Sequence, residues 1–499
     1  MPYNLYWGDL HGHCSISYGH GTVEQALMRA REQLDFCSIT GHAFWPDMPA
    51  DRAVYGEIID YHNEGFGRCA RNWPKLLAKL QAGSQEGRFV AFPSYEWHSL
   101  ASGDHNVYGP GPDLPLEDAP DLRALREMAR RNGAIIVPHH IGYAAGYRGI
   151  DWKQFDARLS PVVEIFSLHG CSESDAAPYP MLHDMGGRDA GSTAETGWAM
   201  GHRFGIIGST DHHGAYPGSH GDGRAAVFAG ALTRRDIWEA ILARRVYAAT
   251  GDRIDARMFV NDAWIGSVIR SPGPRRIRVQ VAASDAIDRV EVLRNGRVLR
   301  RLFAGPDRSL AGRYRLRITW GWGRKTEVVR WNARLTLADG NIDVVETCFS
   351  GAPVVAPQQR AGDEEIPDDQ DLPHQLTERG PRSCAWRSST VGNPTMKHPT
   401  TQAISLELAA PLETMLAIEV NGRRIVHPLG ELLHAGRCHY MRGWLSEMIR
   451  VGPLVPLEEC RLTAEFADER PELDTDVYRL RVAQVNGQWA WLTPVWAER

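Results

Sequence analysis

The chain has 499 residues, of which 43% are hydrophobic, and a formal net charge of -5 at pH 7. This length exceeds what one hydrophobic core supports, so two or three domains are expected. The small net charge, without blocks of like charge, disfavours a nucleic-acid or polybasic membrane surface and favours small-molecule chemistry.

The amino terminus, MPYNLYWGDLHGH, has no basic region followed by an apolar run, and nowhere do about 18 apolar residues follow one another. We therefore expect a cytoplasmic protein with a small-molecule substrate and no nucleic-acid or membrane partner, and homo-oligomerisation is left open. The eight cysteines lack CxxC pairing, which is typical of buried reduced thiols rather than of a disulfide framework or zinc ribbon.

Residues 1–254 alternate short apolar strands with amphipathic helices. A strand is predicted over residues 4–10, and Thr22 with Gln25 forms a capping box for a helix through about residue 34. Further strands are FCSIT, RFVAFPSYE, AIIVP, VVEIF and FGIIGST, and a helix near 121–131 stops at Gly133. This alternation implies a parallel sheet or an α/β barrel.

From 255 to 350 the pattern changes to period-two strands, and Asn295 with Gly296 marks a hairpin in a predicted β-sandwich. Residues 351–395 are rich in proline and charged residues and predict a loop or linker. Strands resume over 396–499, with Asn-Gly turns at 421 and 486. This last region either completes the first sandwich or forms a second one.

Histidine is concentrated in the first half: 15 of the 20 lie before residue 221, and none lies between 221 and 373. Histidines and carboxylates occur at the ends of predicted strands, namely at His11, His13, His42, Glu96, His139, His140, His169, Asp211 and His213. In α/β barrels these ends surround the active site, and imidazole with carboxylate suits zinc, manganese or iron. This set contains enough potential ligands for two or three divalent ions.

A lone histidine at a strand end is usually a surface or hydrogen-bonded residue, and only the coincidence of six strand ends favours metal ligands. His98, His105 and His212 are predicted to contact the ligands or the substrate, or to lie on the surface. Cys14 follows His13, but a buried small apolar residue is favoured over a thiol nucleophile.

The segments WGDLHGHCS, SITGHAFW, FPSYE, VPHHIG, VEIFSLHG and GSTDHH resemble the successive motifs of the PHP (polymerase and histidinol phosphatase) superfamily, over about residues 5–215. The stretch from 221 to 254 resembles a largely uncharacterised branch with a β-rich carboxyl-terminal part, some members of which are associated with carbamate or ester hydrolysis. The resemblance implies a distorted (β/α)7 barrel followed by an immunoglobulin-like β-sandwich region.

The resemblance also implies a trinuclear site. Its ligands would be His11, His13, Glu96 and Asp211 for the first metal, Glu96, His140 and His169 for the second, and His20, His42 and His213 for the third. The family often has Ser-Asp-Gly where this chain has SISYGHG, which puts the role of His20 in question. It usually has His-Pro where this chain has two histidines, so His140 is favoured and His139 stays open.

The predicted function is hydrolysis by a hydroxide that bridges the metals, with Glu96, Asp211 and His213 as catalytic residues. A phosphoester is favoured by analogy with the family, and the anion-binding candidates are Arg148, Arg224 and Arg253. The alternative is a carbamate, amide or carboxylic ester in a pocket lined by Phe44, Trp45, Trp97, Tyr143 and Tyr147. A second alternative is a non-catalytic binding protein with an inert barrel.

Overall fold

The computed structural model describes residues 3–182, 185–323, 327–352, 354, 362–367, 374–392 and 400–499. These residues form a mixed α/β structure that is mostly β and contains several sheets. The helices are α1 (Val23–Arg31), α2 (Arg52–Gly83), α3 (Leu122–Asn132), α4 (Ala194–Ala199), α5 (Arg234–Leu242) and α6 (Leu429–Leu432). Within these ranges, no helix combines the length and apolar composition needed to cross a bilayer.

The strands up to residue 249 carry the predicted site. They are β1 (Asn4–Asp9), β2 (Phe36–Phe44), β3 (Val90–Trp97), β4 (His105–Tyr108), β5 (Ile135–Pro138), β6 (Val162–Ser167), β7 (Gly170–Cys171), β8 (Gly205–Gly208), β9 (Arg224–Ala229) and β10 (Val246–Ala249). Strands β1, β2 and β3 are parallel neighbours, and β6 and β8 pair in parallel in a separate sheet.

The sheet is mixed rather than purely parallel, because β4, β5, β9 and β10 all pair antiparallel with their neighbours. The chain passes from β3 to β4 through the short loop 98–104, and parallel pairing needs a crossover of a dozen or more residues. The main sheet is buried on both faces: α1, α2 and α3 pack on one side, and α5 with β6 and β8 on the other. This packing fixes the strand ends relative to one another.

The amino-terminal cap of one helix and the end of another are as the sequence predicts. Thr22 and Gln25 form the predicted capping box of α1, and α3 ends at Gly133 in the left-handed conformation (φ 61°). The 32-residue helix α2 was not predicted, since Gly65, Gly67 and Pro74 interrupt its pattern. Its buried residues pack against β2 and β3, so tertiary contacts override the weak propensity.

The later strands build the rest of the structure. They are β11 (Asp255–Val260), β12 (Ala263–Trp264), β13 (Val268–Arg270), β14 (Arg275–Ala282), β15 (Ile287–Arg294), β16 (Arg297–Leu302), β17 (Arg313–Gly321), β18 (Val328–Leu337), β19 (Asn341–Cys348), β20 (Gln375–Arg379), β21 (Ser383–Val391), β22 (Thr401–Ala409), β23 (Met415–Val420), β24 (Arg423–Pro428), β25 (Arg437–Tyr440), β26 (Met448–Pro456), β27 (Arg461–Asp468), β28 (Thr475–Gln484), β29 (Trp489–Leu492) and β30 (Val495–Glu498).

These strands interleave the regions on either side of the predicted linker. Strand β17 lies between β22 and β26 in one five-stranded sheet, and β18 lies between β21 and β23 in another. The two sheets enclose one apolar core that includes Trp320, Trp331 and Trp386. Strand β14 pairs with β27 in a four-stranded sheet. Residues 396–499 thus complete sheets that begin in 255–350.

The main sheet does not stop at residue 254, because β10 pairs with β29 and the sheet continues through β28 and β30 to β13. The Asn-Gly turns predicted at 295 and 421 are confirmed: Arg294 pairs with Arg297, and Val420 pairs with Arg423. The division into domains ending at 254, 350 and 395 stays a prediction.

The loop predicted over 351–395 was wrong for two segments, which form β20 and β21. Cys384 and Trp386 are fully buried, whereas Ser383 and Ala385 are partly exposed and Arg387 is exposed. This alternation is that of a half-buried strand, and it is short enough to be missed within a polar region. The rest of this predicted loop falls partly on residues 353, 355–361, 368–373 and 393–395, which lie outside the described residues.

Candidate metal centre

The strand ends bring the predicted residues into one buried cluster. The residues His11, His13, His42, Glu96, His139, His140, His169 and Asp211 are each at most 6% exposed, and His213 is partly buried beside them. Their ligand atoms form overlapping groups in which all atoms lie within 4.8 Å of one another. These groups are His11–His13–Asp211, His13–His42–His213, His42–Glu96–His98, His140–His169–Asp211 and Glu96–Asp104–His139–His140.

Two hydrogen-bond acceptors orient the pair that follows β1. His13 Nδ1 lies 2.7 Å from the carbonyl oxygen of Thr40, and His11 Nδ1 lies 3.2 Å from Oε2 of Glu164. A carbonyl and a carboxylate can only accept, so Nδ1 carries the proton in both rings. The Nε2 atoms are then bare in the neutral rings, which is the tautomer that metal-ligating histidines adopt.

These two Nε2 atoms lie 3.0 Å apart, and Asp211 Oδ1 lies 2.9 Å from Nε2 of His13 and 3.3 Å from Nε2 of His11. Each of these three atoms carries a lone pair, and none of them has a hydrogen to donate to the others. A proton or a metal ion between them would supply the missing positive partner. The carboxylates favour such a cation: burial lowers the pKa of His11, but Asp211 and Glu164 outweigh it and raise that pKa to about 10.

Glu96 lies between several rings and is incompletely satisfied. His139 Nε2 is 3.0 Å from Oε1, and His42 Nδ1 is 2.7 Å from Oε2. In the described part of the chain, His42 Nε2, His139 Nδ1 and His140 Nδ1 are buried and have no hydrogen-bond partner, and the close contact of Glu96 Oε2 with His42 Nδ1 is not aligned as a hydrogen bond. Buried polar atoms are nearly always paired, so a cluster of orphaned ligand atoms fits a site for divalent ions.

Asp211 joins a second group of residues. Its Oδ2 lies 3.0 Å from Nε2 of His169, whose Nδ1 lies 2.9 Å from the Tyr143 hydroxyl. His140 approaches His169 with ring centroids 4.7 Å apart, and its Nε2 is 3.3 Å from Oδ2 of Asp104. The structure therefore brings both His139 and His140 into the cluster, on different carboxylates.

His213 and His42 flank His13 on the third side, with ring centroids 4.4 and 3.9 Å from its own. His213 Nδ1 lies 2.8 Å from the carbonyl oxygen of Asp211, which leaves Nε2 for a ligand. His20 lies next to this group through its backbone, because its N–H donates to the carbonyl of His213 at 2.7 Å.

The electrostatics of the cluster keep its carboxylates ionised and several of its rings neutral. Burial would raise the pKa values of Glu96 and Asp211, but the surrounding imidazoles hold them well below the ordinary range. Burial and His13 lower the pKa of His42, and the same two causes lower that of His213 to about 3. Ionised carboxylates and neutral imidazoles are the forms that bind metal.

Two residues of the cluster have strained backbone. His140 has φ 31° and Asp211 has φ 55°, values that cost non-glycine residues of the order of 1–3 kcal/mol. His140 is the second residue after the end of β5, and Asp211 is the third residue after the end of β8. Such strain is concentrated at functional sites, where the surrounding structure fixes side-chain direction.

The remaining predicted residues divide into two kinds. His98 contacts Glu96 and Asp104, and Arg148 forms an ion pair with Asp104. The others make different contacts. His105, on β4, has its Nδ1 2.9 Å from the Gly103 carbonyl oxygen, His212 packs against Gly351, and Arg224 and Arg253 both donate hydrogen bonds to Gln33. Cys14 is fully buried, which raises the pKa of its thiol far above the ordinary value.

Three important residues were missed by sequence reasoning. Glu164 lies within the apolar run VVEIF, where a charged residue in a buried strand was the available signal. Asp104 is fully buried beside His98, His140 and Arg148. Tyr18 stacks on His42 with ring centroids 3.6 Å apart and an interplanar angle of 9°.

A small cavity of about 80 Å³ opens beside the cluster. It is lined by Tyr18, His42, Tyr61, His62, Glu96, His98, His140, Arg148, Leu168, His169, Asp211, His213 and Val354. Of the aromatic residues predicted to line a pocket, namely Phe44, Trp45, Trp97, Tyr143 and Tyr147, none is among the described residues that line this cavity. Trp97 is buried against Ala119, and Tyr147 is 71% exposed.

The geometry thus defines a mixed α/β protein whose clustered histidines and carboxylates are compatible with divalent-metal binding. A family model described as a protein of unknown function (DUF3604) matches residues 219–275. An uncharacterized protein of Chlamydia pneumoniae is 32% identical over 330 residues, which cover 60% of this chain and 49% of that protein. An uncharacterized protein of Chlamydia muridarum is 25% identical over 321 residues, covering 59% and 48%.

The chain spans about half the length of the curated relatives it matches. A solved two-domain protein of Bacteroides vulgatus, described as containing a predicted PHP-like metal-dependent phosphoesterase, is 17% identical. The likeness covers 58% of this chain and 80% of that one, with a TM-score of 0.34.

Proposed function

We propose that this protein is a metal-dependent hydrolase that holds two or three divalent ions, with zinc, manganese and iron as candidates, and acts on a phosphoester. The observation that carries the proposal is the convergence of the Nε2 atoms of His11 and His13, 3.0 Å apart, on the carboxylate of Asp211. The orphaned atoms around Glu96 support more than one ion, since a single proton cannot satisfy them all.

The ligands in this proposal are the strand-end residues, with His11, His13, Glu96 and Asp211 around the first ion, His140 and His169 around the second, and His20, His42 and His213 around the third. Divalent ions at such a site supply Lewis acidity, which lowers the pKa of water and neutralises charge on the group under attack. We also propose that residues 1–254 form a distorted PHP-type barrel, supported by the common location of the strand ends.

Arg148 favours an anionic substrate over a neutral one. Its guanidinium lines the cavity, and its Nε–H is buried without a partner among the residues described. Burial would lower its pKa, but Asp104 raises it, so the group stays cationic. Trp45 lies 5.1 Å below it in a cation–π contact, which holds the guanidinium in place. A phosphoryl oxygen is a suitable acceptor for this donor.

Tyr18 and His62 form a hydrogen-bonded pair at the edge of the cavity. His62 Nδ1 lies 2.7 Å from the carbonyl oxygen of Ile58 and therefore carries the proton, so Nε2 accepts from the Tyr18 hydroxyl at 3.3 Å. Burial, followed by His98, lowers the pKa of His62 to about 3 and keeps the ring neutral. The pair therefore presents polar groups of fixed direction to a substrate.

The first experiment measures turnover of p-nitrophenyl phosphate, bis-p-nitrophenyl phosphate, p-nitrophenyl acetate and an aryl carbamate, with metal content determined on the same sample. Phosphoester cleavage that a chelator abolishes and zinc or manganese restores is the expected result. Metal-dependent cleavage of only the ester or carbamate would retain the site and change the reaction to carbonyl hydrolysis. Metal-free, inactive protein would favour a binding protein.

Variants test the same proposal at the ligands. His13→Ala and Asp211→Ala are expected to abolish turnover and lower bound metal while the fold is retained. His202→Ala is the matched control, because His202 contacts the Trp152 carbonyl on another part of the surface. Wild-type activity in either ligand variant would contradict the assignment. A small-molecule substrate, a cytoplasmic location and homo-oligomerisation are further parts of the proposal.

A further inference from the structure

The cavity beside the histidine cluster is too small for a whole substrate. Its volume is about 80 Å³, whereas pockets that enclose a small molecule measure about 300–1,000 Å³. Under the proposed function, the cavity therefore receives the phosphoryl group, and the rest of the substrate lies outside it. The protein surface next to the cavity then determines which substituent the substrate carries.

Tyr61, on α2, connects the cavity to the surface. It lines the cavity and is partly exposed to solvent, whereas Tyr18 beside it is only 7% exposed. The ring centroids of Tyr61 and Tyr18 are 5.3 Å apart, and Tyr18 stacks on His42 with centroids 3.6 Å apart. These three rings form a continuous line of contacts from the surface of α2 to a proposed metal ligand.

An apolar stripe on α2 leads to Tyr61. Val54, Ile58 and Tyr61 have the spacing i, i+4 and i+7, so their side chains lie on one face of the helix, and we call them the α2 stripe. Val54 is 67% exposed and Ile58 is 37% exposed. One turn beyond Tyr61 the same face is buried at Gly65, where an added Cβ would lie 2.6 Å from the Tyr18 ring. The α2 stripe is thus the exposed continuation of the face that packs α2 on the rest of the protein.

The dimensions of the α2 stripe suit part of a substrate rather than a protein partner. At 1.5 Å per residue, the stripe is about 10 Å long. A stable protein interface engages about 20–30 residues on each side, far more than two helical turns offer. The three side chains present methyl groups and an aromatic ring rather than a charge, so an uncharged hydrocarbon group is the matching occupant. Such a group can lie along the stripe while the phosphoryl group to which it is bonded lies in the cavity.

We infer that the substrate is a phosphoester of an extended apolar alcohol, whose hydrocarbon chain lies on the α2 stripe. The inference rests on the proposed function. In the reaction, water replaces the alcohol on phosphorus, so a monoester yields the free alcohol and inorganic phosphate. Hydrocarbon removed from water stabilises the bound state in proportion to the area covered, and contact with one helix face covers only part of each CH2 group.

The test measures the release of inorganic phosphate from ethyl, butyl, hexyl and octyl phosphate by the metal-loaded protein. The expected result is that kcat/KM rises about twofold for each added CH2 group. Glycerol 1-phosphate, whose substituent is polar, should be cleaved no better than ethyl phosphate. A chelator should abolish the release of phosphate from every ester.

Substitutions on the helix test whether the α2 stripe causes this preference. In the double variant Val54→Gln/Ile58→Gln, amide groups replace the exposed methyl groups, and the octyl-to-ethyl ratio of kcat/KM should fall about tenfold. Leu242→Gln is the matched control and should retain the wild-type ratio, because Leu242 is 42% exposed at the end of α5, on the other side of the main sheet. Thermal unfolding and metal analysis confirm that each variant is folded and loaded.

The inference and the proposed function fail in different ways. Chelator-sensitive cleavage that does not depend on chain length overturns the inference alone. An octyl-to-ethyl ratio that is the same in the double variant and the wild type does so too. If no ester, including p-nitrophenyl phosphate, shows chelator-sensitive phosphate release, the proposed function is overturned as well.

Discussion

His139 and His140 are adjacent in sequence, yet their Nε2 atoms approach different carboxylates, Glu96 at 3.0 Å and Asp104 at 3.3 Å. The positive φ of His140 separates the two ring directions, with ring planes at 77° to each other. Sequence alone left the choice between them open. The structure places both close to other potential ligand groups, so under the proposed function the pair can serve two neighbouring positions.

Replacing these two histidines separately tests that arrangement. We expect His139→Ala and His140→Ala each to lower the metal content, because each removes one nitrogen from a group of potential ligands. Metal analysis of purified protein measures the loss, with His202→Ala as the control that retains wild-type content. Full occupancy in His139→Ala would show that only His140 is a ligand.

Glu164 is expected to tune metal affinity without binding the metal itself. Glu164→Gln keeps an acceptor near Nδ1 of His11 but removes the negative charge that makes the ring more basic. Changes of this kind typically weaken metal binding about 10- to 100-fold. Competition with a chromophoric chelator measures the change, and Glu195→Gln, on α4, is the control. Unchanged affinity would limit Glu164 to a packing role.

Asp252 is expected to make the stability of the protein pH-dependent. Burial would raise its pKa, but Arg317 and His220 hold it well below 3.8, and Gln484 and Asn486 also donate to it. A carboxylate with a lowered pKa stabilises the fold above its unfolded pKa, and the contribution is lost as pH falls through the folded value. The wild type should therefore lose stability progressively below about pH 4.

The corresponding variant, Asp252→Asn, should lower the apparent free energy of unfolding by about 3–5 kcal/mol at pH 7, because it leaves buried cations without their partner. Its deficit should shrink below about pH 4, where the carboxylate becomes protonated in the unfolded wild-type chain and the folded state loses its relative advantage. Denaturant titrations at pH 7 and pH 3 measure both effects. Asp474→Asn is the control, since Asp474 is fully exposed, and a pH-independent deficit would contradict the prediction.

Two tryptophans provide a matched test of the carboxyl-terminal core. Trp386 is fully buried and stacks on Trp320 with ring centroids 5.0 Å apart, whereas Trp444 is 86% exposed. Trp386→Ala should destabilise the protein by about 3–5 kcal/mol, and Trp444→Ala by no more than about 0.5 kcal/mol. Thermal unfolding followed by fluorescence measures the difference. Similar shifts in both variants would contradict the assigned core.

The sequence predicted the features that depend on local pattern. The strand ends, the capping box at Thr22 and the turn at Asn295 follow from periodicity and turn chemistry that act over a few residues. Glu164 and Asp104 were not predicted, because their importance depends on the rings that the fold brings beside them. The pairing of β10 with β29 could not be predicted either, because no local sequence pattern specifies a partner strand so distant in the chain.

The continuous main sheet has a consequence for how the protein reaches its native state. Thr250, just after β10, is bonded to Trp489, which is 239 residues further along the chain. At synthesis rates of about 5–20 residues per second, β10 waits on the order of 10–50 s on the ribosome before β29 exists. Until the second half emerges, the edge that β29 covers in the native sheet is unpaired, and an unpaired edge strand is a site at which other chains can pair.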